Sequence, residues 1–226
     1  MLKAKLLKFY RLHWTNRVKQ YGLKLAIKQL MLSLFKNIVK FDHQLVLLVT
    51  KEPLENESLN ISRVESMDEL HSLTSALQFS KNIKQNTIKN LLNKKNVVYL
   101  YVLEGVIIAY AAIQLQGIYS FGPMGKLAIS NELIVFNNLF VDSDYRGHSI
   151  AKKLNHARIM DQQNEGSIQC VFVMKGNTPA LNNWIKLGFD VHMEIKQVVF
   201  FNKSVRYNLN KNLKSKLCEV IENGLV

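Results

Sequence analysis

Small and charged residues cluster where an apolar stretch gives way to a helical pattern, in "VDSDYRGHSIAKKL", residues 141–154. Gly147, Ser149 and Ala151 leave room beside the backbone at the predicted start of a helix. Arg146 adds a full positive charge at the same place. A helix N-terminus presents unpaired backbone N–H groups and a partial positive charge, which together bind phosphate oxygens. The segment therefore indicates a phosphate or pyrophosphate site, with tight packing of the turn as the alternative interpretation.

A second segment, "GNTPALNNWIKLGF" at residues 176–189, follows the next predicted strand. Together the two segments resemble the GNAT superfamily of acyl-CoA-dependent N-acyltransferases. The resemblance covers roughly residues 61–208 and is strongest over residues 133–189. The residues that carry it are Arg146-x-x-Ser149-x-Ala151, then Asn177-x-x-Ala180, then Trp184-x-x-x-Gly188-Phe189.

The resemblance implies an α/β fold with a mixed sheet, acetyl-CoA or another acyl-CoA as co-substrate, and no metal. The pyrophosphate would bind backbone amides from Arg146 to Ala151. The pantetheine arm would run along the strand that ends at Leu139–Val141, where this strand separates from the next one, Gln169–Met174. The implied acyl-CoA contacts are Leu139, Phe140, Val141, Arg146, Gly147, His148, Ser149, Ile150, Ala151, Asn177, Ala180 and Trp184.

The implied reaction is direct attack of an amine on the thioester, with backbone N–H groups near Leu139 polarising the carbonyl. Three residues depart from the family pattern. Ser149 replaces the central glycine, and Asn138 stands where many members have a general base, although an amide cannot take a proton at neutral pH. Trp184 stands where many members have a tyrosine that returns a proton to the leaving thiolate. The candidates for proton transfer are His148, Glu132, Tyr119, His192 and water.

Positive charge concentrates at the N-terminus of this chain, whose formal net charge is +13. Residues 1–50 contain ten Lys/Arg and a single acid, Asp42. Residues 3–20 and 23–40 are predicted as two basic helices within an N-terminal extension, residues 1–52. In the second helix apolar residues recur at three-and-four spacing. Such a helix either packs its apolar face on the main domain or lies on an anionic membrane surface.

The remaining pattern predicts a mixed α/β domain at residues 61–208 and a basic C-terminal helix at 209–226. A strand–helix–strand unit at 133–174 predicts a parallel strand pair. Glu104-Gly105 predicts a hairpin turn. The predicted strands are 44–49, 61–64, the two arms of 97–115, the strand ending at Val141, 168–174, 190–197 and 199–208; the predicted helices are 67–77, 82–92, 150–163 and 179–187, and residues 53–60 form a polar linker.

The composition leaves the acceptor and the cellular context open. No run of about 18 apolar residues occurs, and the two cysteines have no disulfide or metal spacing, so a cytoplasmic protein is expected, either free or peripheral at the inner face of the membrane. The acceptor would be a small-molecule or cell-envelope amine, and a polycation is disfavoured by the basic chain. The alternatives are an acyltransferase that uses acyl carrier protein or long-chain acyl-CoA at a membrane, and a non-catalytic binding module. Nucleic-acid binding is disfavoured because the basic segment lacks a groove-reading motif.

Overall fold

A computed structural model describes residues 39–49, 60–162, 167–200, 204–211 and 216–226. The chain divides into two units, one formed by residues 42–196 and 207–226 and the other by residues 1–41 and 197–206. Of the second unit, the described residues are the strand segments 39–41, 197–200 and 204–206.

The predicted helices at 3–20 and 23–40 lie outside the described residues, except for Val39 and Lys40. These two residues begin a strand, which corrects the end of the second predicted helix. The predicted linker at 53–60 also lies outside the described residues, apart from Asn60.

The predicted helices and strands follow one another in the expected order along the described chain, with three further strands at Gln78–Phe79, Gly117–Phe121 and Gly125–Ile129. The helices are α1 (Met67–Thr74), α2 (Gln85–Asn93), α3 (Ile150–Asp161), α4 (Thr178–Lys186) and α5 (Lys216–Gly224). The strands are β1 (Val39–Val49), β2 (Ile61–Val64), β3 (Gln78–Phe79), β4 (Asn96–Leu103), β5 (Val106–Gln114), β6 (Gly117–Phe121), β7 (Gly125–Ile129), β8 (Leu133–Val141), β9 (Ile168–Met174), β10 (Phe189–Phe200) and β11 (Ser204–Lys211).

One mixed sheet carries most of these strands, in the order β11-β10-β1-β9-β8-β5-β4-β2, with β3 also paired to β5. The β8–β9 pair is parallel, as predicted from the helix that connects them, and the β4–β5 and β5–β8 pairs are antiparallel. Strand β1 pairs antiparallel with β9. A strand predicted within the N-terminal extension is therefore part of the main sheet.

Turn residues explain how neighbouring strands connect. Glu104 and Gly105 have φ angles of 50° and 78°, the backbone conformation that a two-residue hairpin turn with right-handed strand twist requires. The predicted turn between β4 and β5 is therefore confirmed. The α4 helix begins at the predicted place because the Asn177 side chain accepts a hydrogen bond from the Ala180 backbone N–H at 3.2 Å.

Apolar side chains on both faces of the sheet form the core. Strands that are buried on both faces have continuous apolar runs in their sequence, as the central strands do here. Helices α3 and α4 pack on one face through Ile150, Leu154 and Trp184. Helices α1 and α2 pack on the other face through Leu70 and Ile88, among others. The β6–β7 hairpin and α5 complete that second face, with Leu127, Leu217 and Ile221 buried.

Several boundaries differ from the sequence prediction. The β6–β7 hairpin was not predicted, because each of its strands has only five residues. Strand β10 continues to Phe200, so the predicted division into strands 190–197 and 199–208 is wrong at residue 198. Strand β11 runs to Lys211, and the C-terminal helix accordingly begins at Lys216 instead of residue 209. Within the described ranges, no helix combines the length and the apolar character needed to span a membrane.

Candidate active site

A bulge interrupts β8 at the centre of the sheet. Ala112 of β5 pairs with Asn137 and Tyr110 pairs with Phe140, so two residues of β8, Asn138 and Leu139, oppose one residue of β5. Asn138 has a φ angle of 49°, in the left-handed region where an asparagine is better tolerated than most residues. The bulge turns this part of β8 out of the regular ladder, as bulges beside functional sites often do.

The β8 and β9 strands separate just beyond this point. Their ladder extends from Leu133–Ile168 to the pair Phe136–Val171 and ends there. The rest of β9 pairs with β1 on its other side, as far as Met174. The edge of β8 from Asn137 to Val141 that faces β9 is therefore unpaired in the ladder. This arrangement matches the gap between strands that the family resemblance implies.

The loop after β8 is held by Asp142, whose side chain is buried. Its Oδ1 atom accepts hydrogen bonds from Asn82 Nδ2 at 2.7 Å and from the Asp144 backbone N–H at 3.1 Å. The polar side chains of Ser80 and Asn82 lower the pKa of Asp142 to about 2. The ionised carboxylate thereby ties the loop to the segment that precedes α2.

Backbone N–H groups converge at the end of this loop. Gly147 has a φ angle of 87° and Ser149 has one of 57°, so the chain turns sharply into α3. No side chain caps the N-terminus of α3, and its first turn contains no acidic residue. The backbone N–H groups of residues 147–152 donate to no carbonyl within the described chain. This turn has the unpaired donors and partial positive charge of an anion site.

One cavity of about 780 Å³ joins the unpaired edge of β8 to this turn. Nine of the predicted ligand contacts line it, together with four residues that the sequence analysis did not single out. The predicted ones are Leu139, Phe140, Val141, Arg146, Gly147, Ser149, Ile150, Ala151 and Asn177. The additional ones are Tyr145, Lys152, Asn183 and Lys186. Two of them adjoin predicted contacts in the sequence, Tyr145 next to Arg146 and Lys152 next to Ala151. Asn183 and Lys186 lie on α4, six and nine positions after Asn177.

Three predicted contacts do not line the cavity. His148 is exposed on the loop, and Ala180 is partly buried against the core below α4. Trp184 is buried, with its ring 4.7 Å from Phe189 and 5.5 Å from Phe136 between centroids. Aromatic packing thus places the Trp184 indole in the core, beside the cavity lining and not within it.

A buried arginine donates hydrogen bonds to the backbone at the bulge. Arg158 of α3 is fully buried, and its Nη1 atom donates to the carbonyl oxygens of Ala112 at 2.6 Å and Asn137 at 2.9 Å. Its Nη2 atom donates to Asn155 Oδ1. Burial lowers the pKa of the Arg158 guanidinium, which has no carboxylate partner among the described residues. These hydrogen bonds go to the residue pair where the β5–β8 register shifts.

A second cavity, of about 340 Å³, lies on the other side of the bulge. Amide side chains dominate its lining, and among the described residues no Asp or Glu contributes to it. The lining residues are Thr87, Asn90, Leu91, Lys94, Asn96, Gln114, Ile118, Tyr119, Ser120, Asn137 and Asn138. Burial raises the pKa of Tyr119, so its hydroxyl is protonated at neutral pH. Since Asn138 lines this cavity and Leu139 lines the first, the two cavities flank consecutive residues of one strand.

The other proton-transfer candidates lie away from both cavities. Glu132 precedes β8 and forms an ion pair with Lys216 at 2.7 Å. Six residues of extended strand separate it from Asn138, about 20 Å at the usual rise per residue. His192 is buried in β10, where burial lowers its pKa, and it lines neither cavity. Of the predicted candidates, Tyr119 alone lines either cavity within the described chain.

Comparison with solved structures places this architecture among related folds. The chain is similar to a GNAT-family protein from Novosphingobium aromaticivorans, with 13% identity and a TM-score of 0.51, over 78% of this chain and 67% of that one. It is also similar to a GNAT-family acetyltransferase from Colwellia psychrerythraea, with 15% identity, a TM-score of 0.46, and coverage of 78% and 59%. An aminoglycoside N-acetyltransferase in complex with CoA matches with 18% identity, a TM-score of 0.39, and coverage of 57% and 90%. The first of these similarities shows the fold.

Sequence comparison supplies the family. No curated protein matches the chain significantly. The family model described as "Acetyltransferase (GNAT) family" matches residues 64–189, which include both sequence motifs, the bulge and the loop before α3. Because this match spans more than half of the sequence, the chain belongs to the acetyltransferase (GNAT) family.

Proposed function

We propose that this protein transfers an acetyl group from acetyl-CoA to an amine, which attacks the thioester directly. One observation carries the proposal: a single cavity combines an unpaired strand edge with a turn of unpaired backbone N–H groups. The strand edge can pair with an extended chain that contains amide groups, and the turn can bind phosphate. CoA carries these two groups one after the other, in its pantetheine arm and its diphosphate.

The pyrophosphate would bind the backbone N–H groups of residues 147–152. The small residues of the turn support this assignment, since a Cβ atom placed on Gly147 would meet nothing within 4 Å, which leaves space above the turn. Arg146, Lys152 and Lys186 line the same cavity and would neutralise the phosphate charge. Arg146 is positioned by a hydrogen bond from its Nε atom to the Val141 carbonyl at 3.2 Å.

The pantetheine arm would add to the unpaired edge of β8 in the manner of an extra strand. This places the thioester near the bulge at Asn138 and Leu139. Neither residue takes part in the β5–β8 register, and the Leu139 backbone N–H would donate to the thioester carbonyl. A donor fixed there would stabilise the negative charge that develops on the oxygen during attack.

The proton balance of the reaction follows from the side chains that line the cavities. The attacking amine must be neutral, and no carboxylate lines either cavity among the described residues, so water would take its proton. Tyr119 is protonated at neutral pH because burial raises its pKa, and it would therefore act as a donor toward the leaving thiolate and not as a base. The acetylation rate should consequently rise with pH as the acceptor amine loses its proton.

The amine acceptor would enter through the second cavity. Asn138 and Leu139 are adjacent in β8, so an amine bound in the second cavity would approach the thioester across the bulge. A volume of about 340 Å³ is sufficient for a small molecule, since pockets for small ligands measure about 300–1,000 Å³.

The test is calorimetric titration of the purified protein with acetyl-CoA, CoA and a long-chain acyl-CoA in parallel. Saturable binding of acetyl-CoA, together with CoA release in the presence of a mixed amine panel, is the expected result. Marked preference for the long-chain donor would replace the acetyl group with a longer acyl group. Failure to bind any of the three compounds would overturn the proposal.

A further inference from the structure

We infer that the acceptor is a small primary amine that also carries an anionic group, as an amino acid does, and that Lys94 binds this group. The inference rests on the proposed function, because it assigns the chemistry of the molecule that would occupy the second cavity. It depends on two features of this cavity: its charge and its unpaired acceptor atom.

The charged lining of the cavity is positive. Lys94 follows the last residue of α2, and it is the charged residue among the described ones that line the cavity. A carboxylate or phosphate on the acceptor would form a charge-assisted hydrogen bond with its ammonium group. A second ammonium group on the acceptor would instead meet Lys94 with no carboxylate beside it.

Other lysines lie close to Lys94 in the sequence. Between Glu69 and Glu104 the chain contains no acidic residue and five lysines, which are Lys81, Lys84, Lys89, Lys94 and Lys95. Of these, Lys81 is paired with Asp144 at 2.9 Å on the surface. Lys95 is next to Lys94 in the chain, and charges within about 8–10 Å are only partly screened at physiological ionic strength, so Lys95 adds to the positive potential at the cavity. This potential favours anions and opposes polycations.

An acceptor atom for the amine is provided by Asn137. Its Oδ1 atom is buried and has no hydrogen-bond partner in the described chain. The orientation of this amide follows from its neighbours, because Asn137 Nδ2 donates to Asn96 Oδ1 at 3.2 Å and Asn96 Nδ2 donates to the Leu91 carbonyl at 2.9 Å. A buried, unpaired carbonyl oxygen costs free energy unless a ligand donates to it. An amine N–H is such a donor, and Asn137 is one residue from the bulge where the thioester would lie.

The experiment measures acetylation of matched amine pairs by the full-length protein. Each pair consists of an amino acid and its neutral amide, for example glycine with glycinamide and β-alanine with β-alaninamide. Spermidine and cadaverine represent cationic acceptors. The amides have the less basic amines, so a larger fraction of them is unprotonated and able to attack at neutral pH, and a preference for the amino acid must come from the protein. The variants are Lys94→Gln, Lys94→Glu and Lys89→Gln, the last of which removes the same charge from α2 at a position that does not line the cavity.

The expected result is a kcat/KM for the amino acids about tenfold or more above that for their amides, which is the size of one hydrogen bond to a charged group. Lys94→Gln should remove this preference and Lys94→Glu should reverse it, whereas Lys89→Gln should retain it. Equal or better acetylation of amides or of spermidine and cadaverine by the wild type would overturn the inference, as would equal effects of Lys94→Gln and Lys89→Gln. Binding of acetyl-CoA without acetylation of any small amine would also overturn it. Loss of acetyl-CoA binding itself is a separate outcome, since it contradicts the proposed function.

Discussion

At the scale of single residues, Arg158 shows how a buried charge can stabilise an irregular part of a strand. A bulge leaves carbonyl groups without their regular ladder partners, and unpaired buried carbonyls are costly. The guanidinium donates to the carbonyls of Ala112 and Asn137 at this place, and it lies over the rings of Phe136 and Trp184 at 5.3 and 5.5 Å from their centroids. Arg158 therefore stabilises the backbone shape of the predicted thioester site without lining either cavity.

Replacing Arg158 with Met should lower the free energy of unfolding by about 2 kcal/mol, because two buried carbonyls lose their donors. Urea unfolding of the variant and of the wild type measures this difference. Lys152→Met is the control for stability, since Lys152 is exposed on the same helix and the change should stay within about 0.5 kcal/mol. A Met variant as stable as the wild type would mean that the desolvation cost of the cation equals the value of its hydrogen bonds.

Arg146 provides the corresponding test of the phosphate assignment. Arg146→Glu places a negative charge in the lining of the first cavity and should weaken acetyl-CoA binding by about tenfold or more. Arg146→Lys retains the charge and should lose less affinity. Lys126→Glu reverses a charge on the exposed part of β7 and serves as the calorimetric control. If Arg146→Glu bound acetyl-CoA as tightly as the wild type and the Lys126→Glu control, the phosphate would not lie at this turn.

At the scale of elements, the loop between β8 and α3 depends on the ionisation of Asp142. The folded-state pKa of about 2 lies below the ordinary value of 3.8, so the ionised carboxylate favours the folded state. This stabilisation is fully present above about pH 4 and is lost as the pH falls toward 2. Between about pH 5 and about pH 2.5, the melting temperature of Asp142→Asn should therefore fall less than that of the wild type. Parallel acid dependence in the two proteins would show that Asp142 does not anchor the loop.

The elements also show what sequence reasoning could predict. Apolar runs predicted β4, β5, β8 and β9, and the turn pair Glu104-Gly105 predicted the hairpin, because these signals are local. The small residues of the α3 turn predicted an anion site for the same reason. The bulge at Asn138 was not predictable, since it depends on the register between β8 and β5. The roles of Lys94, Asn137 and Arg158 likewise depend on which distant residues the sheet brings beside them.

At the scale of the whole molecule, the residues packed on the two faces of the sheet serve different parts of the site. The α3–α4 face carries the turn of the first cavity, through Ile150 and Leu154 in its core. The opposite face carries the β6–β7 hairpin, from which Ile118 and Tyr119 contribute to the second cavity. Trp184 illustrates why the family pattern alone was insufficient, because the side chain at that position here belongs to the core and not to the cavity.

This division predicts that a change under α5 lowers stability without altering the donor site. A Cβ atom on Gly224 would lie 2.7 Å from Leu127 Cδ1 and 2.8 Å from the Ala128 carbonyl oxygen, so Gly224→Ala forces α5 away from β7. Overpacking of this kind should lower the free energy of unfolding by about 1–3 kcal/mol in urea titrations. Asn223→Ala, at the exposed neighbouring position, should change it little. Calorimetry should give the same acetyl-CoA affinity for Gly224→Ala as for the wild type, because the loop before α3 packs on the other face. A loss of affinity in Gly224→Ala comparable to that in Arg146→Glu would mean that the two faces are coupled through the sheet.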